Sequence, residues 1–176
     1  GAPGAQVFVI AASAGANPRQ LTYLTGLGPV QNPSWSPEGD AIVFQAFDQI
    51  WSVPLVRVGS DPTQVTDLDG GAYRPDWSPD GELILFTGAG DELFVMAPDG
   101  SGIHQLTDSS TRYWDPSWSP DGDQIVVEGQ RRGTSEGDRE LFVLRADGTT
   151  AIQITHLDEL GVSQSALWAD WQPVPR

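Results

Sequence analysis

Short apolar runs alternate with turn-forming clusters along this chain, and the alternation is periodic. Runs at Ala41-Ile42-Val43-Phe44, Leu83-Ile84-Leu85-Phe86 and Gln124-Ile125-Val126-Val127 each follow the string Trp-Ser-Pro-[Asp/Glu]-Gly, found at Trp35–Gly39, Trp77–Gly81 and Trp118–Gly122. A second run comes next in each case: Gln49-Ile50-Trp51-Ser52-Val53, Glu92-Leu93-Phe94-Val95-Met96 and Glu140-Leu141-Phe142-Val143-Leu144. Each unit closes on Gln-x-Thr, at Gln64-Val65-Thr66, Gln105-Leu106-Thr107 and Gln153-Ile154-Thr155. The first residues supply one more second run, Gln6-Val7-Phe8-Val9-Ile10, and one more close, Gln20-Leu21-Thr22; a degraded turn sits at Trp171-Gln172-Pro173. The intervals are 77 − 35 = 42 and 118 − 77 = 41 residues. A fixed period of about 40 residues marks a repeat array.

The pattern predicts four strands per unit, A to D. Strand A ends at Trp-Ser; Pro then fixes φ and Asp-Gly supplies a tight reversal, which makes an A–B hairpin. Strands B and C are apolar at consecutive positions, as expected of strands covered on both faces. Asp99-Gly100 and Asp147-Gly148 make C–D turns, and Gln-x-Thr lies on strand D. No stretch carries a helical period. The expected fold is all-β: a β-propeller of four-stranded blades, about four in this chain, three complete and one composite from the two termini. The 176 residues read as one domain, with units at 6–23 (partial), 32–66, 74–107, 115–155 and 168–173 (partial). A β-sandwich is the alternative, but it would not require equivalent turns in every unit.

Composition narrows the partners. Net charge is −15, from 24 acidic and 9 basic residues, which argues against nucleic acid and anionic lipid, both of which need cationic contacts. No apolar stretch is long enough to span a bilayer. Val7–Ala14 lacks a basic leader and aligns with the second run of the other units, so it reads as a strand rather than a signal peptide. Cysteine is absent, and with it any thiol nucleophile or thiolate metal site.

The combination Pro-x-Trp-Ser-Pro-Asp-Gly, Leu-Phe-Val-Met, Asp-Gly and Gln-Leu-Thr, best seen from Pro75 to Thr107, resembles the TolB-like (WD-like) propeller repeat from about Gln6 to Pro173. The resemblance implies protein partners and a periplasmic or extracellular setting. That family also has a separate N-terminal α/β domain not spelled out by these residues, so roles resting on it are not carried over. Two departures stand out: Val53–Gly59 replaces a compact Asp-Gly turn, and the third unit has a long B–C connection over Gln130–Arg139.

His-Glu-x-x-His and phosphate-binding-loop signatures are missing. The two histidines, His104 and His156, fall at different ends of the units. The repeated tryptophans read as inter-blade core. Asp67-Leu68-Asp69-Gly70 suggests calcium but lacks the full loop with its distal Glu; Asp67, Asp69 and Asp115 stand as the candidate cation ligands, and no other cofactor is implied. Binding resides on variable loops of rigid scaffolds, and here the D–A and B–C connections are the irregular ones. Their Tyr73, Arg74, Arg112, Tyr113, Trp114, Asp115, His156 and Trp168 form the expected partner-binding set, since aromatic and arginine residues dominate interface energetics. Asn32, Arg74, Asp115 and Trp168, just before each Pro-x-Trp position, should face the central channel. Alternatively, Arg74 and Asp115 simply pair across adjacent blades.

The function expected is a non-enzymatic binding module acting through the D–A/B–C face. Alternatives are an accessory propeller gating substrate for a peptidase-type catalytic domain encoded elsewhere, or a small-ligand or cation site at a channel mouth built from Asp76, Asp115 and Asp170. With A, C and D but no clear B in the composite blade, a homodimer that exchanges terminal strands is expected to complete the ring.

Overall fold

A computed structural model describes residues 6–23, 29–55, 61–107, 110–134, 138–156 and 171. Three antiparallel sheets each contain four strands in sequential order. The first holds β3 (Gln31–Trp35), β4 (Ala41–Ala46), β5 (Gln49–Pro54) and β6 (Thr63–Gln64) when these are numbered after the leading pair, β1 (Phe8–Val9) and β2 (Arg19–Gln20). The second holds β7 (Tyr73–Trp77), β8 (Ile84–Thr87), β9 (Leu93–Met96) and β10 (His104–Gln105). The third holds β11 (Thr111–Trp118), β12 (Gln124–Arg131), β13 (Glu140–Arg145) and β14 (Ile152–Gln153). These are the three complete blades, strands A to D in order. The only helical turn among the described residues is a 3-10 turn at Ala89–Asp91.

Continuous apolar runs arise because alternate residues face opposite neighbours. Ile42 and Phe44 pack with Val7 and Leu21, which flank the strands of the leading pair, whereas Val43 packs with Ile84 and Phe86 of the second blade. Leu85 in turn joins Ile125, Val127 and Phe142 of the third blade. Every strand B is thus buried on both faces.

Local hydrogen bonds explain the recurring polar residues. In the A–B turns the Ser78 and Ser119 hydroxyls accept from the amides of Leu83 and Gln124, both at 2.9 Å, and donate to Asp80 and Asp121 at 2.6 Å. In the first blade Glu38 holds the turn position, and Asp40 instead accepts from Ser36 Oγ at 2.9 Å. Gln-x-Thr is a clasp between strands C and D. Thr107 Oγ1 accepts from the Leu93 amide at 2.9 Å and donates to Glu92 Oε2 at 2.6 Å. The same arrangement joins Thr22 to Val7 and Gln6, Thr66 to Ile50 and Gln49, and Thr155 to Leu141 and Glu140. A two-residue strand D has a short ladder, so the clasp fixes where the chain leaves for the next blade.

The tryptophan expectation needs correction in one blade. Trp118 is 7% exposed, but Trp35 is 48% exposed. Trp118 and Trp77 belong to clusters shared with the preceding four-stranded sheet, whereas the described part of the sheet before β3 consists of β1 and β2 alone. The C-terminal part of the expected composite blade, residues 157–170 and 172–176 with Trp168 and Asp170, lies outside the described residues. Trp171 donates through Nε1 to the Ser117 carbonyl at 3.2 Å, against β11, strand A and thus the inner strand of the third blade.

Candidate functional site

Each inner strand carries a bulge at the same point. The pairing register shifts between Gln31 and Ser34, Tyr73 and Asp76, and Trp114 and Ser117. Within each bulge one non-glycine residue is left-handed: Asn32 (φ 50°), Arg74 (φ 55°) and Asp115 (φ 50°). Left-handed backbone is uncommon for such residues, and bulges re-aim side chains. All three line one cavity of about 600 Å³, together with Gln31, Gln45, Tyr73, Thr87, Asp91 and Trp114. Of the four residues expected to face the central channel, Asn32, Arg74 and Asp115 thus share one cavity, and Trp168 lies outside the described residues.

The cavity opens where strands A begin and strands B end, on the side of the D–A and B–C connections. Arg74 Nε meets Asp115 Oδ1 at 2.9 Å, so the alternative of pairing across adjacent blades is realised inside the cavity rather than instead of it. The Arg74 amide donates to Gln45 Oε1 at 3.2 Å. Burial, and then the Glu128 carboxylate, push the Asp115 carboxyl above its ordinary range, against the opposing pull of Arg74 and Arg139. Glu128 is fully buried and accepts from Arg139 Nη1 at 3.1 Å. Arg139 also lies 4.2 Å from the centre of the Trp114 ring, a cation–π contact. Trp114 donates to Asp91 Oδ1 at 3.1 Å, and Asp91 faces Arg112 at 3.8 Å. Beside them Arg132 reaches back one blade to the Gly90 carbonyl at 2.7 Å and Glu92 at 3.1 Å. Gly71 (φ 75°) runs beneath Tyr73, whose ring fills the place of a Cβ. Burial first, then Asp48 and Asp91, raise the Tyr73 phenol above its usual value.

The structure gathers Tyr73, Arg74, Trp114 and Asp115 at the cavity, with Arg112 at its rim. Tyr113 is a correction: it is 2% exposed and packs edge-on against Phe142 with ring centres 6.0 Å apart. Arg112, Tyr113 and Trp114 lie on a strand rather than on a connection, because β11 begins at Thr111 and pairs as far as Arg131. Alternation then sends Tyr113 into the core. His156 is exposed after β14, and His104 falls on β10 rather than in the C–D connection. Asp67 and Asp69 are exposed, and no group of three or more His, Asp or Glu side chains placed to share a cation occurs among the described residues. Asp76 ties neighbouring inner strands together, accepting from Ser34 Oγ at 3.0 Å and the Trp118 amide at 2.8 Å. Sequence reasoning missed Gln45, Thr87, Asp91 and Glu128. Only Glu128 carried a signal, a charge directly after the apolar run Ile125-Val126-Val127.

Comparison with known proteins agrees with this architecture. A structure from Agrobacterium tumefaciens described as a TolB superposes with TM-score 0.71 at 24% identity, covering 84% of this chain and 55% of that one. TolB from Acinetobacter baumannii gives TM-score 0.69 at 20% identity over 85% of this chain and 37% of that one. A chain of a nidogen–laminin complex gives 0.68 at 13% identity, covering 86% and 58%. The chain thus spans about half or less of the two TolB structures, and at these identities the likeness is one of fold. No curated protein sequence matches. The sequence profile of the TolB beta propeller domain matches residues 5–170, and the chain belongs to that family.

Proposed function

We propose that this chain is a non-catalytic binding propeller that engages a protein or peptide through the cavity mouth on its D–A/B–C face, in an extracytoplasmic setting. The observation that carries the reading is the repeated bulge. Three consecutive blades hold Asn32, Arg74 and Asp115 left-handed, and all three line one cavity. Such backbone costs about 1–3 kcal/mol per residue and clusters at ligand sites. Around it stand an arginine and aromatic rim, Tyr73, Arg112 and Trp114, of the composition that dominates interface energetics. No helix among the described residues is long and apolar enough to cross a membrane. Capture of envelope proteins on immobilised chain, followed by affinity measurement with purified partner, tests the reading. Arg112→Ala and Trp114→Ala should each weaken binding by about 1–2 kcal/mol, while Asp99→Ala on the opposite turns should not. Loss only with Asp99→Ala would put the interface on the other face.

A homodimer belongs to the same reading. Phe8, Ile10 and Trp35 at one end of the blade array, and Ile152 and Ile154 at the other, are large apolar residues exposed to solvent, and a second copy would cover them. Light scattering at micromolar concentration should give twice the chain mass; a monomeric mass would remove the dimer.

A further inference from the structure

Arg74 is only partly engaged. Its Nε is held by Asp115, and its two Nη nitrogens make no hydrogen bond among the described residues. A guanidinium held along one edge presents the other as a fork of donors matched to a carboxylate. Thr87 lines the same cavity, is 2% exposed, and its Oγ1 has no hydrogen-bond partner. An unpaired buried hydroxyl is costly and calls for an explanation such as an absent ligand. All nine basic residues are arginines, and in a chain of net charge −15 four of them, Arg74, Arg112, Arg132 and Arg139, are tied to residues that line or flank this cavity.

We propose that the cavity is a carboxylate subsite, in which Arg74 and Thr87 receive a carboxylate carried by the partner's peptide while Asp115 holds the guanidinium in place. This rests on the protein-binding reading and names the chemistry that it recognises. Arg74 would be the specificity residue and Asp115 a positioning residue. Because Asp115 is also an anion, it lowers the affinity for the incoming one. Neutralising it while keeping an oxygen for Nε should therefore strengthen binding.

The test uses small probes and the Trp114 indole resonance as reporter. N-acetylglutamate α-amide offers a side-chain carboxylate, N-acetylglutamine a chain-terminal one, and N-acetylglutamine amide neither. One of the first two should shift the indole resonance saturably at millimolar concentration, and the third should not. Arg74→Gln should weaken the active probe by about tenfold or more, and Asp115→Asn should tighten it by about tenfold. Thr87→Val, close in shape and without the unpaired hydroxyl, should weaken it severalfold while leaving the melting temperature no lower than that of wild type. Equal shifts from the neutral probe or from chloride at matched ionic strength, or Asp115→Asn binding no more tightly, would overturn the subsite. A protein partner held equally by wild type and Arg74→Gln would overturn the subsite but leave the binding face standing. Saturable, Arg74-dependent carboxylate binding by a chain that captures no protein would uphold the subsite and remove the protein-binding reading.

Discussion

Ser34 and Asp76 occupy the same register of consecutive inner strands, and Ser34 Oγ donates to Asp76 Oδ1 at 3.0 Å while accepting from the Trp77 amide at 3.1 Å. Asp76 passes the link on by accepting from the Trp118 amide at 2.8 Å. The A strands of the three blades are therefore joined by a polar chain, independently of the apolar blade faces. Hydrogen bonds to a charged group contribute about 1.5–3 kcal/mol each. Asp76→Ala, which breaks two, should cost about 3 kcal/mol in urea denaturation, and Asp76→Asn less than half of that. A midpoint within error of wild type for the alanine variant would show that apolar packing alone holds these blades together.

Arg112 and Tyr113 are adjacent in sequence yet opposite in role, since Arg112 is exposed and Tyr113 is core. Tyr113→Ala should cost about 3–5 kcal/mol of stability, as buried aromatic truncations do. Arg112→Ala should stay within about 0.5 kcal/mol and show its effect only in partner affinity. Equal destabilisation by the two would mean that β11 does not pass through this register.

The turn aspartates and Asp115 should titrate in opposite senses. The Ser78 hydroxyl, then the Glu82 amide, hold Asp80 below the ordinary carboxylate range; Ser119 and the Asp123 amide do the same for Asp121. A lowered folded value stabilises the fold above the unfolded pKa of about 3.9, and that stability is lost as pH falls through the folded value. Asp115 is raised, chiefly by burial; its contribution is fully present below the unfolded value and is lost as pH rises through the folded one. Carboxyl NMR from pH 7 downward should show Asp115 protonating before Asp80 and Asp121, and Ser78→Ala should move Asp80 upward. Asp115 titrating together with the turn residues would overturn the cavity electrostatics.

The blades were legible because their signals are local. Ser-Pro-Asp-Gly specifies its turn within a few residues, and an apolar run long enough to be buried on both faces announces itself. The cavity was legible only in part. Arg74 and Asp115 stand out by type and by their place before Pro-x-Trp, but Gln45 and Thr87 are ordinary strand residues whose importance comes from where three separate sheets converge. Tyr113 was misplaced because the third inner strand, Thr111–Trp118, is longer than Gln31–Trp35 or Tyr73–Trp77. Its extra pairing partners, Gln130 and Arg131, sit in a stretch whose Arg-Arg-Gly composition resembles a loop.

Trp35 and Trp118 share one repeat position and differ only in what precedes them. Trp118 meets a complete sheet through Leu85, Leu93 and Val95 and is buried. Trp35 follows a described pair of two-residue strands and keeps 48% of its surface exposed. Burial rather than motif membership should set the energetic weight of each. In dilute protein, under conditions where light scattering gives the single-chain mass, Trp118→Ala should lower stability by about 3–5 kcal/mol. Trp35→Ala should lower it by no more than about 1 kcal/mol. For the proposed dimer, raising the concentration should increase the cost at Trp35 and leave that at Trp118 unchanged, because of the two indoles only that of Trp35 has surface left for a second copy to cover. Equal costs at both positions in the dilute monomer would show that Trp35 is already covered within one chain, and its face would then not be where the proposed partner copy docks.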